Sequence, residues 1–470
     1  MSLGTYYKAL EYYGKALATL EELGEKSGVA IVTGNIGIVY SSLGTYDKAL
    51  VYFSKALAAH EELGEKSQIA RVTGNIGLVN ANIGSFDKAL EYYAKVLSIH
   101  EELGAKSGIA NVTGNIGNVY YSLGSYDKAL EYFGKALAAQ VELGEKSEIA
   151  RATGSIGDAY LELKEYAKAL DLQKRGLALA EEIGDRRLMG YSWQGIGTTL
   201  CALGKKQEAM EYLQKSLHLR RDELLTNEGV ADTLVAIGVL LAEQNKSDEA
   251  LEKLEEGLAL AEQLGEKAQA FLAHKELAAI KEKNGIIVEA FYHFKRYHEL
   301  EKEVQSEEAK KTAQRYQIER EQAEMTVRLQ TTEQLLNKTL PPTISKRLMK
   351  GEKNIADRFE SVSILFADIV GFTPLSVRME PQKLVELLNN LFSRFDRLTE
   401  EHGVERIKTI GDAYMIVSGA PERCQDHAER LAKTAIGMLN ETQKFCEEVS
   451  ETIEIRIGIS SGEVIGAVSR

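Results

Sequence analysis

The pentapeptide Thr33-Gly34-Asn35-Ile36-Gly37 returns as Thr73-Gly74-Asn75-Ile76-Gly77, then as Thr113-Gly114-Asn115-Ile116-Gly117 and as Thr153-Gly154-Ser155-Ile156-Gly157, each time after 40 residues. The spacing continues more weakly through Gly197, Gly238 and Ala278. A repeat of this size cannot bury its apolar face alone, so it must stack on its neighbours, and this part of the chain is a solenoid. Within one period, Ile36, Gly37 and Tyr40 share a helical face, and Leu43-Gly44 ends that helix as a C-terminal glycine does. Tyr46, Ala49, Leu50, Phe53 and Ala56 then form the inward stripe of a second helix. Gly37 and Ala49 are small where the two helices approach most closely. All five prolines lie at or beyond Pro341, so no strong helix breaker interrupts the first 340 residues. Residues 6–17 match a second helix without its first, which predicts an array entered in mid-repeat and an N-terminal piece missing.

The pattern of Ile36, Gly37, Tyr40, Ala49, Phe53 and Ala56 resembles the tetratricopeptide repeat family, and Trp193 matches the aromatic that opens that family's repeat. The period here is longer than usual and the family's proline near the repeat end is absent; longer helices joined by Leu-Gly-Glu-Lys-Ser turns account for both. The resemblance covers residues 1–300, about seven repeats with the first partial. It implies a protein or peptide partner, or an autoinhibitory surface. In the family, the position of Asn35, Asn75 and Asn115 tends to face the groove, where a ladder of amides suits an extended peptide backbone. The alternative is that these asparagines cap or space neighbouring helices.

Net charge is −13. That argues against nucleic acid as a partner and against docking on an anionic membrane. Three scattered cysteines read as reduced thiols of a cytoplasmic protein, and there is neither a signal peptide nor an apolar run fit to span a bilayer. Residues 301–340 turn rich in charge and glutamine and poor in glycine. Ile318, Met325, Leu329 and Leu336 make a thin stripe that suits a short parallel coiled coil; a solvated single helix is the alternative. Pro341-Pro342 stops this helix, and residues 344–349 add a turn or two.

Beyond Lys353 the pattern becomes α/β. Residues 361–368 form an apolar strand ending in Asp368, and Gly371-Phe372-Thr373 turns into a helix. A helix is predicted over 382–400, strands over 405–410 and 413–417 around the Gly411-Asp412 turn, a helix over 424–449 and a strand over 453–459. The segments Phe366-Ala367-Asp368-Ile369-Val370-Gly371-Phe372-Thr373 and Lys408-Thr409-Ile410-Gly411-Asp412-Ala413-Tyr414 are similar to the catalytic core of class III adenylate and guanylate cyclases. Leu340-Pro341-Pro342 and Gly351-Glu352-Lys353-Asn354-Ile355-Ala356-Asp357 resemble the approach segment of bacterial members. The expected fold is therefore multidomain: an all-α solenoid over 1–300, a helical linker over 301–340, an approach segment over 341–357, and over 358–470 the N-terminal part of a ferredoxin-like cyclase domain.

Cyclising a nucleoside triphosphate needs charge neutralised on phosphate oxygens and a proton removed from the 3′-hydroxyl, tasks suited to two Mg²⁺ or Mn²⁺ ions on hard oxygen ligands. The resemblance assigns those ions to Asp368, Asp412 and the Ile369 carbonyl, and phosphate contacts to the amides of Gly371, Phe372 and Thr373. For a lone aspartate the alternative is a cap or turn residue. Lys408 can donate to adenine N1 but not to the protonated N1 of guanine. GTP-selective relatives usually carry glutamate there, so Lys408 favours ATP over its alternative as a surface lysine. The family's site forms between two domains, which implies a homodimer with Asp368 and Asp412 from one chain and Lys408 from the other. His402 and His427 read as structural. The family also uses transition-state residues with no counterpart before Arg470, so the expectation is an adenylate cyclase whose present chain, cut short, is inactive alone. The alternatives are a repeat scaffold with a non-catalytic remnant, and a guanylate cyclase.

Overall fold

A computed structural model of the chain describes residues 3–227, 229–340, 342–352, 355–449 and 451–468. Pro341, Lys353, Asn354, Ser469 and Arg470 lie outside the described residues. The chain divides into two units, Met1–Glu319 and Arg320–Arg470.

In the first unit α1 (Leu3–Glu22) stands before a series of helix pairs. These are α2 (Lys26–Ser42) with α3 (Tyr46–Leu63), α4 (Lys66–Ile83) with α5 (Phe86–Glu102), and α6 (Lys106–Ser122) with α7 (Tyr126–Leu143). Next come α8 (Lys146–Glu162) with α9 (Tyr166–Ile183), α10 (Arg186–Ala202) with α11 (Lys206–His218), and α12 (Val230–Glu243) with α13 (Ser247–Leu264). The last is α14 (Lys267–Lys283) with the start of α15 (Ile287–Thr339). The repeat glycines explain how each pair closes. A Cβ on Gly37 would stand 2.8 Å from the Phe53 ring, one on Gly77 2.8 Å from Tyr93, and one on Gly117 2.6 Å from Phe133. Those aromatic rings are buried against the glycine backbone and fill the space between the helices. The step from Gly197 to Gly238 is one residue longer than the others. A π-helical turn over Leu219–Glu223 and a loop to Gly229 take up the addition, since a π turn accommodates one extra residue.

The expected linker stripe divides in two. Ile318 is 7% exposed and belongs to a buried apolar cluster of the repeats that includes Val119, Tyr120 and Leu123, so it has no face left for a coiled coil. Beside it, Gln314 Nε2 donates to the Gly84 carbonyl (3.1 Å) and Arg315 Nη1 to the Gly124 carbonyl (3.3 Å). Glu319 accepts from Ser125 Oγ at 3.4 Å and faces Lys128 Nζ at 4.0 Å. Met325 and Leu329, further along, are exposed.

The second unit continues with α16 (Pro342–Met349), β1 (Ile355–Ile369), α17 (Phe372–Arg378), α18 (Pro381–His402), β2 (Glu405–Ile410), β3 (Ala413–Ser418), α19 (His427–Val449) and β4 (Ile455–Val468). The strands form one antiparallel sheet in the order β2-β3-β1-β4. β1 begins at Ile355, inside the stretch read as an approach segment, because residues 355–359 pair with β4 before a bulge between Phe359 and Val362. One face of the sheet carries Leu365, Ala367, Ile369, Tyr414 and Ile416 into a core with Leu391, Phe395, Leu431, Met438 and Phe445 of α18 and α19. Among the described residues no helix is long and apolar enough to cross a membrane.

Candidate active site

Side chains alternate across a strand, so the neighbours of Leu365, Ala367 and Ile369 must point to the opposite face. On that face β1 presents Phe366, 46% exposed, and Asp368. The register places Asp368 opposite Ala413 on β3 and Arg456 on β4, and Ala413 opposite Ile410 on β2. One row back, Phe366 lies opposite Met415, and Met415 opposite Lys408. Residues in register share a face, so Asp368, Arg456, Phe366 and Lys408 all stand on one side of the sheet.

Asp412 sits in the turn that joins β2 to β3, one residue before the partner of Asp368. Burial raises its carboxyl above the ordinary carboxylate range, and the Asp368 carboxyl, within hydrogen-bonding reach, pushes the same way. Its own backbone amide and Arg456 oppose the rise. The structure thus brings the two predicted aspartates together. Arg456 Nε donates to Asp368 Oδ2 at 2.8 Å, and Nη2 reaches the same oxygen. The guanidinium side chain is 76% exposed against 27% for the aspartate, so it approaches from solvent and can leave. Two facing carboxylates need positive charge between them. A pair of hard oxygen donors open to solvent suits a divalent cation that takes its remaining ligands from water and phosphate.

Gly371 has φ +71°, the left-handed region that glycine adopts without strain, and it turns the chain from β1 into α17. Phe372 packs against the core, which leaves the backbone at Gly371 and Thr373 at the surface beside Asp368. Ile369 is buried on the core side, and the Val370 amide donates to the Glu454 carbonyl at 2.8 Å. Lys408 is exposed and is not gathered to the aspartates. From strand spacing and rise, its Cα lies roughly 12 Å from that of Asp368. His427 Nδ1 is 2.8 Å from Ser363 Oγ and His402 Nδ1 is 3.0 Å from Thr434 Oγ1, contacts that hold helices in place. Arg456 is the residue that reading the sequence passed over. Its signal was one charged side chain in an alternating strand, visible as a partner only once the strand order is known.

Asn35, Asn75 and Asn115 occupy equivalent half-buried places on α2, α4 and α6. They form the predicted row along the first helices of successive pairs.

The tetratricopeptide repeat model matches residues 1–62, 68–140, 108–182, 148–222 and 188–263. The model described as the adenylate and guanylate cyclase catalytic domain matches residues 355–469. The chain is a tetratricopeptide repeat protein with a class III nucleotide cyclase domain. Its cyclase domain is 43% identical over 138 residues to guanylate cyclase soluble subunit beta-2 of Rattus norvegicus, covering 29% of this chain and 20% of that one. It is 40% identical over 150 residues to an adenylate cyclase of Mycobacterium tuberculosis, covering 32% and 34%. A solved catalytic core of a rhodopsin-guanylyl cyclase with converted specificity, in complex with ATPαS, is 40% identical and covers 24% of this chain and 62% of that chain, with a TM-score of 0.23. The chain thus spans a fifth to a third of the length of these curated relatives.

Proposed function

We propose that the cyclase domain converts ATP to cyclic AMP and pyrophosphate at a site shared by two copies of the domain, under control of the repeat array. The observation that carries this reading is the facing pair Asp368 and Asp412 on an exposed sheet face. In the reaction the 3′-oxygen bonds to the α-phosphorus, the bond from that phosphorus to the bridging oxygen breaks, pyrophosphate leaves, and the hydroxyl proton is lost. Asp368, Asp412 and the Ile369 carbonyl would hold two Mg²⁺ or Mn²⁺ ions, which supply Lewis acidity and lower the pKa of the attacking hydroxyl. Arg456 shields the carboxylates from each other until the cation arrives. The amides at Gly371, Phe372 and Thr373 lie at the end of β1, where they can donate to phosphate oxygens. Lys408 supports adenine, because an ammonium can donate to N1 of adenine and finds no acceptor at N1 of guanine. Its distance from the aspartates supports a site in which a second copy supplies the lysine. The 43% identity to a guanylate cyclase subunit favours a second reading, GTP as substrate.

Control by the array is supported by α15, the helix that leads toward the cyclase domain, which is gripped by the repeats at Gln314, Arg315, Ile318 and Glu319. The row of Asn35, Asn75 and Asn115 supports an extended peptide as the controlling ligand.

The test is product formation by the full-length protein with Mn²⁺ and either ATP or GTP. Cyclic AMP from ATP is expected. Cyclic GMP from GTP alone would move the assignment to the second reading, and no product from a folded dimer would remove both.

A further inference from the structure

The helix pairs follow one pattern, and one place departs from it at several positions together. The residue packed over the repeat glycine is Phe53, Tyr93 and Phe133 in successive pairs, but Gln173 in the next. The place of Val39, Val79 and Val119 passes through Ala159 to Thr199. The place of Ile38 and Leu78 passes through Asn118 to Asp158. The asparagine row of Asn35, Asn75 and Asn115 gives way to Ser155 and Gly195.

These departures meet. Thr199 Oγ1 donates to Gln173 Oε1 at 2.8 Å, and Gln173 Nε2 donates to Asp158 Oδ1 at 2.9 Å. Thr199 is 0% and Gln173 1% exposed. An amide oxygen can only accept, so the threonine hydroxyl fixes which way the glutamine faces and aims its NH₂ at the carboxylate. The carboxylate borders a cavity of about 310 Å³ on the face made by the first helices of three successive pairs, α6, α8 and α10. Ser155, Ser192 and Gly195 line it too. A Cβ on Gly195 would stand 3.0 Å from Gln173 Nε2 and 3.3 Å from Asp158 Oδ1, so the absence of a side chain keeps the approach to both groups open.

The charge in this cavity is unbalanced. Burial pushes the Asp158 carboxyl up to about 6, Glu162 adds to the rise, and only the Gln173 amide opposes it. Arg151 also lines the cavity, but its guanidinium is engaged by Glu148. Packing alone does not call for such a network. At the places of Gln173 and Thr199, buried apolar residues such as Phe133 and Val119 close the other pairs, and burying polar groups in their stead costs free energy that hydrogen bonding only partly offsets.

We propose that this cavity receives a cationic group, an ammonium or a guanidinium, carried by a peptide partner of the repeat array. An anionic acceptor held rigidly by two buried residues is preorganised for a charge-assisted hydrogen bond from such a group. The proposal rests on the reading of the array as a peptide-binding surface, and its test uses a ligand too small to span the row of Asn35, Asn75 and Asn115.

Trp193 is the single tryptophan of the chain and lies between the cavity residues Ser192 and Gly195 in sequence. The experiment is titration of the full chain with argininamide, read by Trp193 fluorescence and independently by equilibrium dialysis of the radiolabelled compound. Saturable one-to-one binding is expected. The neutral isostere citrullinamide, and argininamide with Asp158→Asn, should each bind at least tenfold more weakly. Asn75→Ala should leave argininamide binding unchanged even where it weakens binding of an extended peptide. Ser155→Lys, one helical turn before Asp158, places a tethered cation in the cavity; it should abolish argininamide binding and raise the melting temperature. Equal binding of citrullinamide, undiminished binding to folded Asp158→Asn, or no saturable uptake in dialysis would each overturn the proposal. If Asp158→Asn does not fold, the citrullinamide comparison and Ser155→Lys decide the matter.

Discussion

Replacing Ile318 with alanine should loosen the segment of α15 around residues 314–319 from the turns at Gly84 and Gly124 without unfolding the helix pairs. Ile318 is 7% exposed and is the apolar anchor of that contact. The substitution removes three buried carbons, about 2.4 kcal/mol at 0.8 kcal/mol each, and any cavity left behind adds to it. The groove at a helix–solenoid contact can relax, which keeps the loss near 2–3 kcal/mol. The flanking polar contacts to Gly84, Gly124, Ser125 and Lys128 are half-exposed and contribute about 0.5–1 kcal/mol apiece at most. Ile318 is thus the largest single contribution to this contact. In hydrogen-exchange mass spectrometry, amides protected by docking, in residues 312–319 and 120–128, should exchange roughly 30–150-fold faster in Ile318→Ala. Met325→Ala, at a position 56% exposed, should change exchange by less than about twofold. An acceleration below threefold for Ile318→Ala, or an equal effect from Met325→Ala, would refute the anchoring argument.

Asp368→Ala should lower cyclic nucleotide formation by the full-length protein at least about a hundredfold, with an unchanged melting temperature; retained activity would remove the metal assignment. Lys408→Glu should shift the ratio of activities on ATP and GTP toward GTP by about tenfold or more, read from paired kcat/KM values. Gly117→Ala should destabilise the array by about 1–2 kcal/mol, because its Cβ meets the Phe133 ring, whereas Gly134→Ala, with open space around its Cβ, should stabilise it by about 0.5–1 kcal/mol; calorimetry that gave both the same sign would contradict the packing. His274 and His293 face each other at 2.8 Å, Nδ1 to Nδ1, and burial holds both below the ordinary histidine pKa; for His293, the neighbouring His274 and Lys281 reinforce this against Glu255 and Glu289. Their unfolded forms take up protons first as pH falls through about 6.5, so the array should melt at lower temperature between pH 7 and 5 than at pH 7.5, and His293→Gln should flatten that slope.

Much of this was legible in the chain. The 40-residue step dictated helix pairs and a solenoid, because glycine and a large aromatic recur at fixed separation and must meet. The two aspartates converge as read, since one ends a strand and the other turns the adjacent hairpin. Other features were out of reach for a physical reason. Periodicity shows that Ile318 belongs to a buried face but not what buries it, and the answer lies about 200 residues earlier. Arg456 answers Asp368 across a strand pair whose order no local pattern reveals. The extension of β1 back to Ile355 depends on β4 continuing to Val468, a pairing between residues a hundred positions apart. The departures at Asp158, Gln173 and Thr199 are visible as letters, yet their hydrogen bonds run between three different helices.

The grip of α15 on the turns at Gly84 and Gly124 also bears on how the solenoid melts. A stack whose members touch only their neighbours can fray from either end, with each repeat opening on its own account. Here the last helix of the stack is tied to its second and third pairs, so the intervening repeats are enclosed between two points of attachment. Small rotations that would otherwise accumulate along the stack must cancel by the time the chain reaches Gln314. Strain introduced at any one repeat is then shared by all those between, and the enclosed repeats should lose structure in a single concerted transition, reporting the same midpoint.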